Sequence, residues 1–77
     1  MLFLIEYDRS RGAIITLREF DEIESKSAEQ ARLKMELDLN RRGIEREIVL
    51  LEAENEEALR RTHRRYFEDL AQLVNVS

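Results

Sequence analysis

Hydrophobic and polar positions along this chain follow two different periods, and the points where the period changes mark the elements. Residues 2–7, LFLIEY, are aromatic and branched apolar residues in a run too short for a helix, which predicts a strand. DRSRG (8–12) is a polar turn in which Gly12 is free to take positive φ, and AIITLREF (13–20) is the return strand of a hairpin. DEIESKS (21–27) is a charged connection. Ser27 followed by Gln30 is a capping-box signature for a helix running through AEQARLKMELDLNRR, with Gly43 at the position just past its end. IEREIVLLEA (44–53) predicts a third strand with Ile48 to Leu51 as its apolar centre. A second helix starts near Asn55, with Glu56 and Glu57 at its positive end, and is predicted to reach about Val74. The order is ββαβα in a single domain over 1–77, with no internal repeat and no proline.

A crossover from strand 2 through a helix to strand 3 places strand 3 beside strand 1. The expected fold class is α+β: a two-layer ββαβα domain with a three-stranded antiparallel sheet of order 2-1-3 and two helices on one face. Strand 1 suits the central position because it is apolar on both sides, with Phe3 and Ile5 on one and Leu2 and Leu4 on the other. Two helices on one face leave the other bare. That bare face is expected to carry Leu2, Leu4, Ile14 and Thr16, plus either Ile48 and Leu50 or Val49 and Leu51, with Glu6 and Arg18 at its rim. Apolar patches of this kind mark interaction sites, and two-fold closure buries one most simply. A homodimer with an interface of Leu2, Leu4, Glu6, Ile14, Thr16 and Arg18 is therefore expected.

The first predicted helix adds a second apolar feature. Ala28, Ala31, Met35 and Leu39 form one stripe suited to the sheet, whereas Leu33 and Leu37 fall on roughly the opposite side. Those two leucines are expected to meet either the second helix or another chain.

Size and composition sharpen the picture. A chain of 77 residues buries only about 60–65% of its unfolded surface on folding. Small domains of that kind often rely on disulfides, metals or a second subunit. There is no cysteine, which removes disulfides, thiolate metal sites and cysteine nucleophiles and leaves the second subunit. The apolar start MLFLI ends at Glu6, too short for a secretory core, and no run approaches the roughly 20 residues of a membrane span. A cytoplasmic protein without a membrane partner is expected. The net charge of −4 and pI near 5.0 argue against bulk electrostatic binding of nucleic acid.

The most suggestive stretch is RRTHRRYFEDL, residues 60–70. On a helical wheel Leu59, His63, Tyr66, Phe67, Leu70, Leu73 and Val74 share an arc of about 120°. Arg60, Arg61, Arg64 and Arg65 fan across the other side, each with an acid four residues away: Glu56, Glu57, Glu68 and Asp69. The arginines read as a solvated, self-paired face, with an anion or nucleic-acid patch as the alternative. His63 reads as a packed side chain, because none of its helical neighbours orients it as a carboxylate orients a catalytic imidazole. Glu52, Glu54, Glu56 and Glu57 read as a charged junction, with no calcium-loop spacing around them. No phosphate-binding loop, zinc spacing or nucleophile elbow is present, so no cofactor is implied. The expected function is a homodimeric, structural or regulatory protein-interaction module in a bacterial-type cytoplasm, with an unspecified protein partner. A nucleic-acid- or anion-binding accessory protein using Arg60–Arg65 is the alternative, and an enzyme built on His63 a third.

Overall fold

The protein, in a computed structural model that describes residues 1–67, folds as strands β1 (Leu2–Asp8) and β2 (Ala13–Phe20), helix α1 (Ser25–Arg41), strand β3 (Glu47–Glu52) and helix α2 (Glu56–Thr62). The sheet is three-stranded and antiparallel, with order β2-β1-β3. The fold is α+β, and the hairpin, the element order and the strand order match the expectation.

The local signals explain where the elements stop. In the hairpin, the Asp8 carboxylate accepts from the Ser10 amide (3.0 Å), the Ser10 hydroxyl (2.7 Å) and the Arg11 amide (3.3 Å). Gly12 takes φ +66° and donates its amide to Asp8 O (2.8 Å). At the end of α1, Gly43 has φ +68°, its amide bonds Asn40 O (3.1 Å), and the Ile44 amide reaches back to Leu39 O (2.9 Å). That pair of bonds satisfies carbonyls a helix end otherwise leaves open. A non-glycine residue at Gly43 meets no steric obstacle but pays the left-handed conformation, roughly 1–2 kcal/mol. Asn55 caps α2 by accepting from the Ala58 amide (2.8 Å).

Two starts and stops differ from the sequence reading. α1 begins two residues before Ser27, continuing from a 3-10 turn over Glu22–Glu24, where the Glu24 carboxylate accepts from the Asp21 amide (3.0 Å). The capping signature that operates is thus Asp21 with Glu24, not Ser27 with Gln30. α2 ends at Thr62. His63, at φ −123° and ψ 52°, breaks the helix, and a 3-10 turn over Arg64–Tyr66 follows. The turn lets Tyr66 bury itself against Tyr7, ring centroids 5.1 Å apart and planes near perpendicular. A tertiary contact thus overrides the helical period at this point. The predicted stripe residues Leu70, Leu73 and Val74, and the acids Glu68 and Asp69, lie outside the described residues.

The layering is the main correction. Phe3, Ile5 and Tyr7 pack with Leu59 and Tyr66, so α2 and the turn after it cover one sheet face. Leu4 and Phe20 pack with Ala28, flanked by Leu2, Ala31, Met35, Ile48 and Leu50, so α1 covers the other. The helices lie on opposite faces, not together on one. The reason is in β1 itself: a central strand with apolar side chains on both faces needs cover on both, and one helix supplies each. Phe3, Leu4, Ile5 and Leu59 are fully buried, each contributing about 1.5–3 kcal/mol of transfer free energy.

A bulge makes a second correction. Glu6 pairs with Thr16 but Tyr7 pairs with Ile14, so Ile15 is the extra residue in β2. Thr16 therefore shares the face of Leu2 and Leu4, whereas Ile14 crosses to the face of Tyr7 and packs in the α2-side core.

Candidate functional site: an open strand edge and two charge networks

The expected dimer face is occupied by the chain itself. Leu4 is fully buried and Leu2 half-buried beneath α1. Thr16 donates its hydroxyl to Glu6 (2.9 Å). Arg18 does not pair with Glu6; it sits over the Phe20 ring at 5.0 Å. Leu2, Leu4, Glu6, Ile14, Thr16 and Arg18 thus do not form one exposed surface, because α1 covers part of the set and the bulge divides it.

The hairpin end of the sheet gathers what the sequence reading missed. On the α1 face, the Glu6 and Asp8 carboxylates both approach Arg46, with Nε 3.3 Å from Glu6 and Nη1 3.7 Å from Asp8. The hydrogen bond from the Ser10 hydroxyl is the largest influence holding the Asp8 carboxyl below its ordinary range, helped by the Ser10 and Arg11 amides and Arg46 and opposed by desolvation. On the α2 face, Glu47 receives Arg9 (2.8 Å), Arg65 and the Tyr66 hydroxyl. The Tyr66 hydrogen bond leads in holding Glu47 below the usual carboxylate range, with Arg9 and Arg65 adding to it. Burial, followed by the bond to that carboxylate, raises the Tyr66 hydroxyl. A signal for the first network was legible: Glu6 and Asp8 share strand parity with Leu2 and Leu4, so acids sit on a covered face and require a cation.

The arginine block resolves into separate roles. Because α2 ends at Thr62, one helical face no longer carries all four. Arg60 pairs with Glu56 (3.3 Å) and lies over the Phe67 ring (4.6 Å). Arg65 bonds Glu47 and the Tyr66 hydroxyl. Arg61 and Arg64 are exposed. His63 is half-buried, and its backbone amide bonds Leu59 O (2.9 Å). Among the described residues no cluster of acids and histidines has the arrangement to hold a metal ion, and no helix is long and apolar enough to cross a membrane.

Besides the exposed Ile15 and Ile23, two apolar surfaces without cover among the described residues lie side by side. One is the outer side of α1, where Leu33 and Leu37 are 52% and 55% exposed beside a groove shared with Ile44 and Ile48. The other is the free edge of β3, whose four central residues, Ile48 to Leu51, are all apolar and only half-buried. The Ala53 amide donates to Met1 O (3.0 Å), which fixes the direction of the β3 backbone groups. Antiparallel alternation then turns the N–H and C=O of Leu51 and Val49 toward β1 and those of Ile48, Leu50 and Glu52 outward. Comparison with protein-family models, with curated proteins and with solved structures finds no match for this chain.

Proposed function

We propose that this chain is a homodimeric protein-interaction module of the cytoplasm, acting by binding rather than catalysis, and that its two copies join through the free edge of β3. The observation that carries this reading is the edge itself: an unbroken apolar strand with outward backbone donors and acceptors and no bulge, proline or lysine to blunt it. Such an edge is a template for another strand, and an identical strand supplies one with two-fold closure. The exposed Leu33 and Leu37 on α1 add an apolar surface next to the same strand.

Sedimentation equilibrium or light scattering at micromolar concentration tests it, with a dimer expected. Glu52→Pro removes an outward N–H and no ladder bond to β1, and its exposed side chain contributes little packing. The variant is expected to keep the far-ultraviolet spectrum of the parent while dissociating at least about tenfold more readily, the loss of one interchain hydrogen bond per copy. A parent that stays monomeric across the micromolar range overturns the reading.

A further inference from the structure

We infer that the two copies pair β3 antiparallel in one register, centred on Val49. This inference rests on the two-copy reading above and adds to it which residues meet. Two antiparallel strands related by a two-fold lie side by side only when the axis is normal to the sheet. Such an axis keeps each face on its own side and sets one residue of β3 directly opposite its own copy. Few registers are therefore available, and side-chain chemistry separates them.

Centring on Val49 places Ile48 opposite Leu50 of the second copy, and Leu50 opposite Ile48. Both residues turn their backbone groups outward, so each such pair exchanges its N–H···O=C bonds. The same register places Arg46 opposite Glu52 of the second copy, twice over. Glu52 is exposed and enters no ion pair among the described residues. The Arg46 side chain meets Glu6 and Asp8 through Nε and Nη1, and its Nη2 makes no hydrogen bond among the described residues. Arg46 therefore has one guanidinium nitrogen left to meet Glu52 of the second copy, while Glu6 and Asp8 hold the rest of the group. Centring one residue later instead sets Ile48 against Glu52, and one residue earlier sets Arg46 against Leu50; both oppose an apolar residue to a charge. Centring on Val49 does oppose Glu47 to Leu51, but the Glu47 carboxylate is already drawn aside by Arg9, Arg65 and Tyr66. The result is a continuous six-stranded sheet. Both α1 helices lie on one face of it, with Leu33 and Leu37 of each on that side.

The chain lacks cysteine, so single substitutions report the register without background. Val49 turns its backbone groups toward β1, so Val49 and its copy form a non-hydrogen-bonded pair. Cα atoms in such pairs stand about 4.5 Å apart, within the range a disulfide spans. Val49→Cys is expected to cross-link into a covalent dimer under mild oxidation, seen on a non-reducing gel. Leu51→Cys, four residues from its own copy along the paired strands and so about 13 Å away, is expected not to. Glu52→Arg puts like charges opposite at two places and is expected to weaken the dimer about tenfold. A dimer by light scattering in which Leu51→Cys cross-links and Val49→Cys does not leaves the two-copy reading standing and overturns this register. A dimer that Glu52→Arg leaves unchanged also overturns it. A monomer throughout removes both.

Discussion

The two edges of this sheet carry opposite treatments, and the contrast locates where a partner can approach. β2 is interrupted by the extra residue Ile15, and beyond it Arg18 and Glu19 are exposed. A bulge twists an edge and breaks its ladder, and charges on it disfavour an added strand. β3 has an unshifted register with β1 over all six residues, with charge only at its ends, Glu47 and Glu52. Among the described residues, one edge is blunted and the other left open. A fold that blunted neither edge would offer two sites per copy and so polymerise, whereas one open edge offers a single site.

Removing the blunting therefore has the largest expected consequence. Deleting Ile15 restores direct succession of Ile14 and Thr16 opposite Tyr7 and Glu6, leaving the α2-side packing of Ile14 and the Thr16–Glu6 bond in place. The variant is expected to fold and to form assemblies whose size grows with concentration, as measured by sedimentation velocity, because the β2 ladder is then continuous and only the charges of Arg18 and Glu19 guard that edge. A variant that stays a well-defined dimer would show that the bulge is not what protects β2.

The edges also differ in how they are anchored. Glu47, at the head of β3, ties that strand to the hairpin through Arg9 and to the segment after α2 through Arg65 and Tyr66. The folded state holds the Glu47 carboxyl below its unfolded value, first through the Tyr66 hydroxyl and then through the arginines. A depressed carboxyl stabilises the fold at pH values above its unfolded pKa, about 4.3, and that contribution is lost as pH falls through the folded value. Glu47→Gln is expected to lower stability at neutral pH and to flatten its decline below about pH 4, read as the urea midpoint against pH. The slope does not vanish, because Asp8 is lowered as well. Parallel curves for parent and variant would mean that the network does not anchor the strand.

What the sequence disclosed, and what it did not, follows the same physics. The hairpin, the Gly43 stop and the helix start near Asn55 were legible because each depends on a few adjacent residues with strong conformational preferences, and the strand order followed from the crossover connection. The layering was not, because the pattern of β1 asks for cover on both faces without saying whether a helix of the same chain or a second copy supplies it. The bulge was hidden in AIITLREF, where Ile14 and Ile15 are both apolar and neither parity is disfavoured. The early end of α2 was hidden too, since the wheel over 59–67 is amphipathic whether or not the helix continues, and only Tyr7 and Glu47, distant in sequence, decide for the turn. The expected order already put strand 3 at an edge, but which of its backbone groups face outward came only with the register, because a strand's neighbours, not its own residues, determine which groups are left over.

The smallest expected effect separates the two edges most directly. Ile15 is 43% exposed and stands opposite no residue of β1. Ile15→Lys adds a charge to an edge that is already broken, so it is expected to change stability by less than about 0.5 kcal/mol, the usual range for surface substitutions. On the β3 pairing proposed above, the dissociation constant should stay within about twofold of the parent, since a charge remote from that edge and screened by salt acts weakly. Chemical denaturation gives the first quantity and sedimentation equilibrium the second. If Ile15→Lys dissociates the dimer while Glu52→Pro does not, the copies meet at β2, and the open edge of β3 is not the one this protein uses.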